Sequence, residues 1–242
     1  MSTLLALFFA ANAAPATLTI AAAADLTNLE SPLAAAFEKM NPSDQIRWVT
    51  AASAILSQQI ENGAPYDIFL SANASFVDQL AAKRKIEPNS VVSYASGRLG
   101  ILWRDGKPHS LNELKENWVR SVALPNPKLA PYGVAAEQAL RHAGIWESVR
   151  QKIVYGENVR QTLQLFESGN TDAVLTSDSL LQGKSAQSIP AGWHDLIIQK
   201  GGIVAGSPNA ASAEQFLQFL TGAAQPIFAR FGFAAVTPAV KP

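Results

Sequence analysis

Four stretches of this chain put small or hydroxyl-bearing residues where an apolar strand gives way to a helix, a pattern suited to holding an anion. In the clearest, Val122 to Leu124 runs through a Pro/Asn/Pro turn into Pro131-Tyr132-Gly133, which opens an Ala-rich helix carrying Val134, Ala135, Ala139 and Leu140. A helix start has unpaired backbone N–H groups and the positive end of the macrodipole, so it attracts negative charge. Tyr132 adds a hydroxyl donor, and Gly133 lets the chain approach a ligand closely. Elsewhere Leu18 to Ile20 leads through Ala21 to Ala24 into Asp25-Leu26-Thr27 and the periodic residues Leu29, Leu33 and Phe37. Ile46 to Thr50 leads through Ala51-Ala52-Ser53 into Ile55, Leu56 and Ile60. Ile153 to Tyr155 leads through Gly156-Glu157-Asn158, with Asn158 a good N-cap, into Val159, Leu163 and Phe166. Each alone is an ordinary strand–helix connection. Together, with no Lys or Arg among the residues that open the helices, they point to an anion held by neutral dipoles.

Repeated strand–turn–helix units imply an α/β sheet with its ligand beyond the carboxyl ends of the strands. Strand patterns cover Thr17–Ala22, Ile46–Thr50, Asp67–Ser71, Gly97–Trp103, Ser121–Leu124, Ile153–Tyr155 and Asp172–Leu175, then Leu196–Ile198 and Gly202–Ala205 after Trp193. Helical spacing covers Ser31–Lys39, Ile55–Glu61 and Phe76–Ala82, and near the end Ala213–Leu220 and Gln225–Phe231. Pro190, Gly201-Gly202 and Pro208 punctuate the return. In GAPYDIFLSAN, Asp67 is expected to hold a strand and turn rather than to touch a ligand.

The chain has 242 residues, enough for one large domain or two smaller ones. Lys plus Arg and Asp plus Glu are 19 each, so no overall field favours nucleic acid or an acidic membrane surface. Leu4 to Ala11 is apolar but too short to span a bilayer, and Ala11-Asn12-Ala13 fits an A-x-A cleavage site. Residues 1–14 therefore read as a secretory signal peptide, although no Lys or Arg precedes the apolar run. The absence of cysteine leaves stability to the core. No G-x-S-x-G, Walker A, G-x-G-x-x-G or H-E-x-x-H motif occurs, and His109, His142 and His194 are scattered at non-ligand spacings. Binding is favoured over catalysis, with no catalytic residue, cofactor or protein-bound metal expected.

The segments AAAADLT (Ala21–Thr27), AASAILSQQIENGAPYDIFLSAN (Ala51–Asn73), YASGRLGILW (Tyr94–Trp103), NPKLAPYGVAAEQAL (Asn126–Leu140), VYGENVRQT (Val154–Thr162) and FARFGF (Phe228–Phe233) resemble the periplasmic molybdate-binding proteins of ABC importers, in the subgroup with an APYG turn. The resemblance covers nearly all of the chain after the signal. It implies a type II periplasmic-binding-protein fold: two α/β lobes, chain crossovers between them, and an oxyanion in the interlobe cleft. Lobe 1 would comprise residues 17–92 and 208–242, and lobe 2 residues 93–207. The family's ligand contacts fall by motif on Asp25, Ser53, Tyr132 and Val159, with backbone amides from Ala52 and Gly133 and a fifth contact near Leu175 or Thr176. Ser53 as a helix cap and Tyr132 as a packing residue between lobes remain open alternatives. The ligand would be molybdate or tungstate, delivered by a periplasmic monomer to an ABC permease, with phosphate, arsenate or sulfate as the rival ligand. An effector domain of a transcription regulator and an enzyme on this scaffold are the readings from other classes.

Asp25 stands where the family usually has a neutral Ser, Thr or Asn. An ionised carboxylate cannot face a dianion directly, so Asp25 is expected to turn into the helix it opens and cap it. The other option is that it accepts a proton from an oxyanion that still carries one.

Overall fold

The computed structural model describes residues 17–236; the expected signal peptide lies outside them. The first strand, β1 (Thr17–Ala23), is buried along most of its length and feeds a short 3-10 segment, Ala24–Leu29, that runs into α1 (Glu30–Met40). Next come β2 (Gln45–Ala51), α2 (Ser53–Glu61), β3 (Ile68–Ser71) and α3 (Ala74–Ala82). Then β4 (Val92–Gly97) and β5 (Leu99–Trp103) follow with only Arg98 between them. The central part continues with β6 (Val122–Pro125), α4 (Pro131–His142), α5 (Trp146–Val149), β7 (Ile153–Gly156), α6 (Val159–Glu167) and β8 (Ala173–Ser177). The chain returns through β9 (Gln187–Ser188) and β10 (Ile197–Ile203) to α7 (Ala210–Thr221) and α8 (Gln225–Arg230).

These strands make two five-stranded sheets, ordered β2-β1-β3-β10-β4 and β7-β6-β8-β5-β9. In the first, β1 is parallel to β2 and β3, and β10 is antiparallel to β3 and β4. In the second, β6 is parallel to β7 and β8, and β5 is antiparallel to β8. Each parallel pair ends at the helix starts named above, so both sheets aim their carboxyl ends at the region between them. Each lobe has its own core. Phe37 meets Phe216 edge-on at 5.0 Å in the first, and Trp103, Leu124, Leu140 and Leu163 fill the second. Ala23, Ala24 and Ala72 of the first lobe pack into the core of the second, since methyl side chains let the two backbones close up.

Two expectations about strands are corrected. Gly97–Trp103 is not one strand: Gly97 ends β4 in the first sheet, Leu99 begins β5 in the second, and the chain crosses at Arg98. Conversely, the runs Leu196–Ile198 and Gly202–Ala205 are connected by the single strand β10, which starts at Ile197, ends at Ile203 and has an irregularity at Gln199/Lys200. Gly201 and Gly202 are there because neighbours press in, not to break the strand. A Cβ on Gly201 would meet Leu70 Cδ2 at 2.6 Å, and one on Gly202 would meet Ile86 Cγ2 at 2.6 Å. Both β4 and β10 thus lie in the first sheet, so residues 93–97 and 197–203 sit there and not in the second lobe as expected.

Asp67 is the tie expected of it. Its carboxylate accepts the Thr19 N–H at 2.7 Å, the Ser207 hydroxyl at 2.6 Å and the Asn209 side-chain amide at 3.2 Å, binding the start of β1 to the turn before α7. Hydrogen bonds to a charged group contribute most, so Asp67→Ala should cost about 2–4 kcal/mol of stability. The check is urea unfolding, with a lower midpoint and an unchanged slope.

Candidate functional site

The helix starts converge. Asp25, Ser53, Tyr132, Asn158 and Val159 line one narrow cavity of about 10 Å³ between the sheets, closed by alanines and containing no Lys or Arg. A larger cleft of about 430 Å³ beside Thr17 and Asp67 lies at the opposite end of β1 and shares none of these residues.

At α2, Ala52 is the N-cap and its side chain caps nothing, which removes the capping alternative for Ser53. The Ser53 hydroxyl oxygen accepts the Ala72 N–H at 3.2 Å, so its own hydrogen is unspent, and the residue is 2% exposed. The Ser53 N–H, at the first helical position, has no carbonyl within the helix to reach. The next amide, Ala54 N–H, crosses to the Leu129 carbonyl of the other lobe at 3.2 Å.

At α6, the Asn158 carboxamide oxygen accepts from Arg160 N–H at 3.0 Å and Gln161 N–H at 2.9 Å. The N–H of Val159 is the amide left over in that turn. Thr176 donates its hydroxyl to the Val159 carbonyl at 3.0 Å, steadying the turn from behind, while Leu175 is core. Neither lines the cavity, so the fifth contact expected there is a brace rather than a wall.

At α4, Pro131 occupies the first helical position and Ala130 supplies no side-chain cap, leaving the Tyr132 N–H unpaired by position. Gly133 does not provide a free amide. Its N–H donates to the Ala130 carbonyl at 2.9 Å, and a Cβ would collide with the Pro125 carbonyl oxygen, so glycine there lets the helix seat on the preceding turn.

Asp25 departs most from expectation. It does not cap its helix. Instead its Oδ2 accepts the Tyr132 hydroxyl at 2.9 Å and the Gln199 side-chain amide at 2.7 Å, while Oδ1 is buried without a hydrogen-bond partner. Tyr94 donates to Gln199 Oε1 at 3.3 Å, which turns the amide nitrogen toward Asp25. Ser179 donates to the Asp25 carbonyl at 2.6 Å and Asn28 reaches the Ser179 carbonyl at 3.2 Å, so the two lobes are stitched together here. Gly97 has no side chain because the Tyr132 hydroxyl occupies that space. Asp25 is completely buried, and burial pushes its pKa from 3.8 up to about 7 against the lowering by Tyr132, its own backbone and Gln199. Gln199, Tyr94, Gly97 and Ser179 are the residues that reading turns in sequence did not find.

The profile of the bacterial extracellular solute-binding proteins matches residues 18–234. The chain belongs to that family. Members are solute-binding proteins rather than enzymes. The chain is 30% identical over 237 residues to the molybdate-binding protein ModA of Haemophilus influenzae, covering 92% of each. Among solved structures it superposes on the periplasmic molybdate-binding protein of Azotobacter vinelandii with a TM-score of 0.84, 27% identity, and coverage of 91% of this chain and 100% of that one. The sulfate-binding protein SubI of Mycobacterium tuberculosis shares the fold at a TM-score of 0.75 and 16% identity, covering 93% of this chain and 88% of that one. The architecture is thus the periplasmic-binding-protein fold expected from the sequence. No group of three or more potential metal ligands occurs among the described residues.

A carboxyl with a raised pKa destabilises the fold where it must ionise. The contribution of protonated Asp25 is complete below about pH 4 and is lost as pH rises to about 7, after which the cost is constant. From 3.8 to about 7, that cost is about 4 kcal/mol. Asp25→Asn keeps an acceptor for Tyr132 and Gln199 without the charge. The ligand-free variant should melt several degrees above wild type at pH 8, the gap closing toward pH 4, as read by calorimetry.

Proposed function

We propose that the protein captures molybdate or tungstate between its lobes and presents it to an ABC permease from the periplasmic side of the membrane. The observation that carries this reading is the Ser53 turn. It offers an unspent hydroxyl hydrogen and an unpaired N–H into a buried cavity that also receives the free amides of Tyr132 and Val159. Molybdate is a deprotonated tetrahedral dianion at neutral pH, so a shell of donors suits it, and fixed N–H dipoles at helix starts hold such an anion without a cation. The likeness to molybdate-binding relatives supports the same ligand.

In this reading the ligand contacts are Ser53, with the amides of Tyr132 and Val159; Ala52 shapes the wall, and Gly133 serves the helix packing. The lobes open about the crossover at Arg98 and the segment between β9 and β10, a hinge motion that admits the anion and then buries it. The closed monomer is the form a permease recognises. Asp25 sets the condition for binding: a unit charge about 4 Å from another costs about 4 kcal/mol at an effective dielectric of 20, and a dianion about doubles that. The rival ligand is an oxyanion that keeps a proton, such as hydrogen phosphate, which could donate to an ionised Asp25. The unpartnered Oδ1 is the specific observation in its favour.

A thermal-shift series over molybdate, tungstate, sulfate, phosphate and arsenate tests the reading. At about a hundred times Kd, linkage adds about 2.7 kcal/mol, a rise of roughly 5–10 °C for a chain of this size. No shift with molybdate or tungstate on ligand-free protein sinks the assignment. Ser53→Ala should weaken the anion roughly tenfold or more, the worth of about 1.5–3 kcal/mol for a hydrogen bond to a charged group. Its ligand-free form should also lose about 1 kcal/mol, because the Ala72 N–H loses its acceptor.

A further inference from the structure

The carboxyl of Asp25 is asymmetric. Oδ2 receives two donors, from Tyr132 and Gln199, which fill its lone pairs. Oδ1 receives none from any other residue, has no solvent, and belongs to a residue that lines the cavity. A buried oxygen with no donor is costly as a charged acceptor but well placed as a hydroxyl. If Asp25 is protonated, the hydrogen must therefore sit on Oδ1, the carboxyl oxygen with a free lone pair, and Oδ1–H becomes a donor beside the cavity that Ser53 also lines.

We propose that the cleft takes up its tetrahedral dianion together with one proton from solvent, carried on Asp25 Oδ1 and donated to a ligand oxygen. This rests on the oxyanion reading above and adds its pH dependence. The balance is simple: the carboxylate gains a proton, no covalent bond to the ligand forms, and the complex keeps the ligand's two charges.

The surroundings leave Asp25 as the group that titrates. Tyr132 and Tyr94, the other titratable groups joined to the network, are both held well above their ordinary pKa, first by burial and then by the Asp25 charge, so they stay neutral donors. Charged side chains on the packed elements are occupied elsewhere. Glu30 of α1 takes the Thr50 hydroxyl, Arg47 of β2 donates to Thr19, and Arg160 of α6 lies 3.8 Å from Glu167. Asp178, in the short turn after β8, accepts from Ser188, and burial raises its pKa against the lowering by that bond and by Arg98. None supplies a cation to Asp25. With its pKa already near 7, Asp25 gains the proton easily, and an adjacent dianion pushes it higher still.

Isothermal titration of the full chain with molybdate, repeated in buffers of different ionisation enthalpy, counts the protons. Uptake should be close to one per anion at pH 8.5 and close to zero at pH 5.5, with affinity falling about tenfold per pH unit above about pH 7.5. Asp25→Asn should bind with no uptake at either pH and bind more tightly than wild type at pH 8.5; the wild-type count stands alone if that variant fails to fold. Binding at pH 8.5 with no proton uptake and a pH-independent affinity overturns the proposal while leaving the oxyanion reading intact. Hydrogen phosphate binding without uptake, with molybdate inert, overturns it in favour of a ligand that brings its own proton. If no anion binds, both readings fall.

Discussion

Everything near the cleft depends on one buried carboxylate oxygen shared by two neutral donors from different parts of the chain. Asp25 Oδ2 receives a hydroxyl from the second lobe, through Tyr132, and an amide from the return strand, through Gln199. Water is excluded, so these bonds act at low dielectric, where a satisfied polar group rigidifies its neighbours and an unsatisfied one is expensive. The Tyr132 ring can reach across only because Gly97 has no side chain, and Gln199 can turn inward only because Tyr94 holds its other end. The site is a set of backbone positions locked by this contact more than a collection of reactive side chains.

Small residues at the turns have a common physical purpose. Ala23, Ala24 and Ala72 let the lobes touch at backbone distance, and Ala52 and Ala130 cap their helices with nothing, leaving amides for an occupant. Asn158 takes the opposite course at α6, satisfying two amides and so singling out the third. Two ways of capping thus yield the same outcome, a free backbone amide at each helix start beside one cavity.

What was legible in the chain was mostly local. The strand–turn–helix units, the Asn158 cap and the Asp67 tie are each written in a few adjacent residues, and all three are found in the structure. Asp25 escapes a local reading because capping is a local rule, whereas its partners lie 107 and 174 residues away. Gly133 is ambiguous in the sequence for a related reason: close packing against Pro125 uses glycine as readily as ligand approach does. The break at Arg98 was hidden by a continuous apolar run, since both halves are buried strands that differ only in the sheet they join. Gln199 carried no signal at all, being an ordinary polar residue in a strand until the fold sets it beside a carboxylate.

A cavity walled by dipoles and one acid, in a chain of zero formal net charge, has neither a cation in its wall nor an excess of charge behind it. Anions arriving from outside are not drawn in over distance, as they are toward a cluster of lysines. Their rate of arrival is then set by free diffusion and by how often the lobes part, and added salt scarcely changes it. Discrimination among anions is left to the rate of escape, which the closed lobes govern. Such a receptor ignores the abundant ions that pass its mouth and shows its preference only in how long each captured one stays.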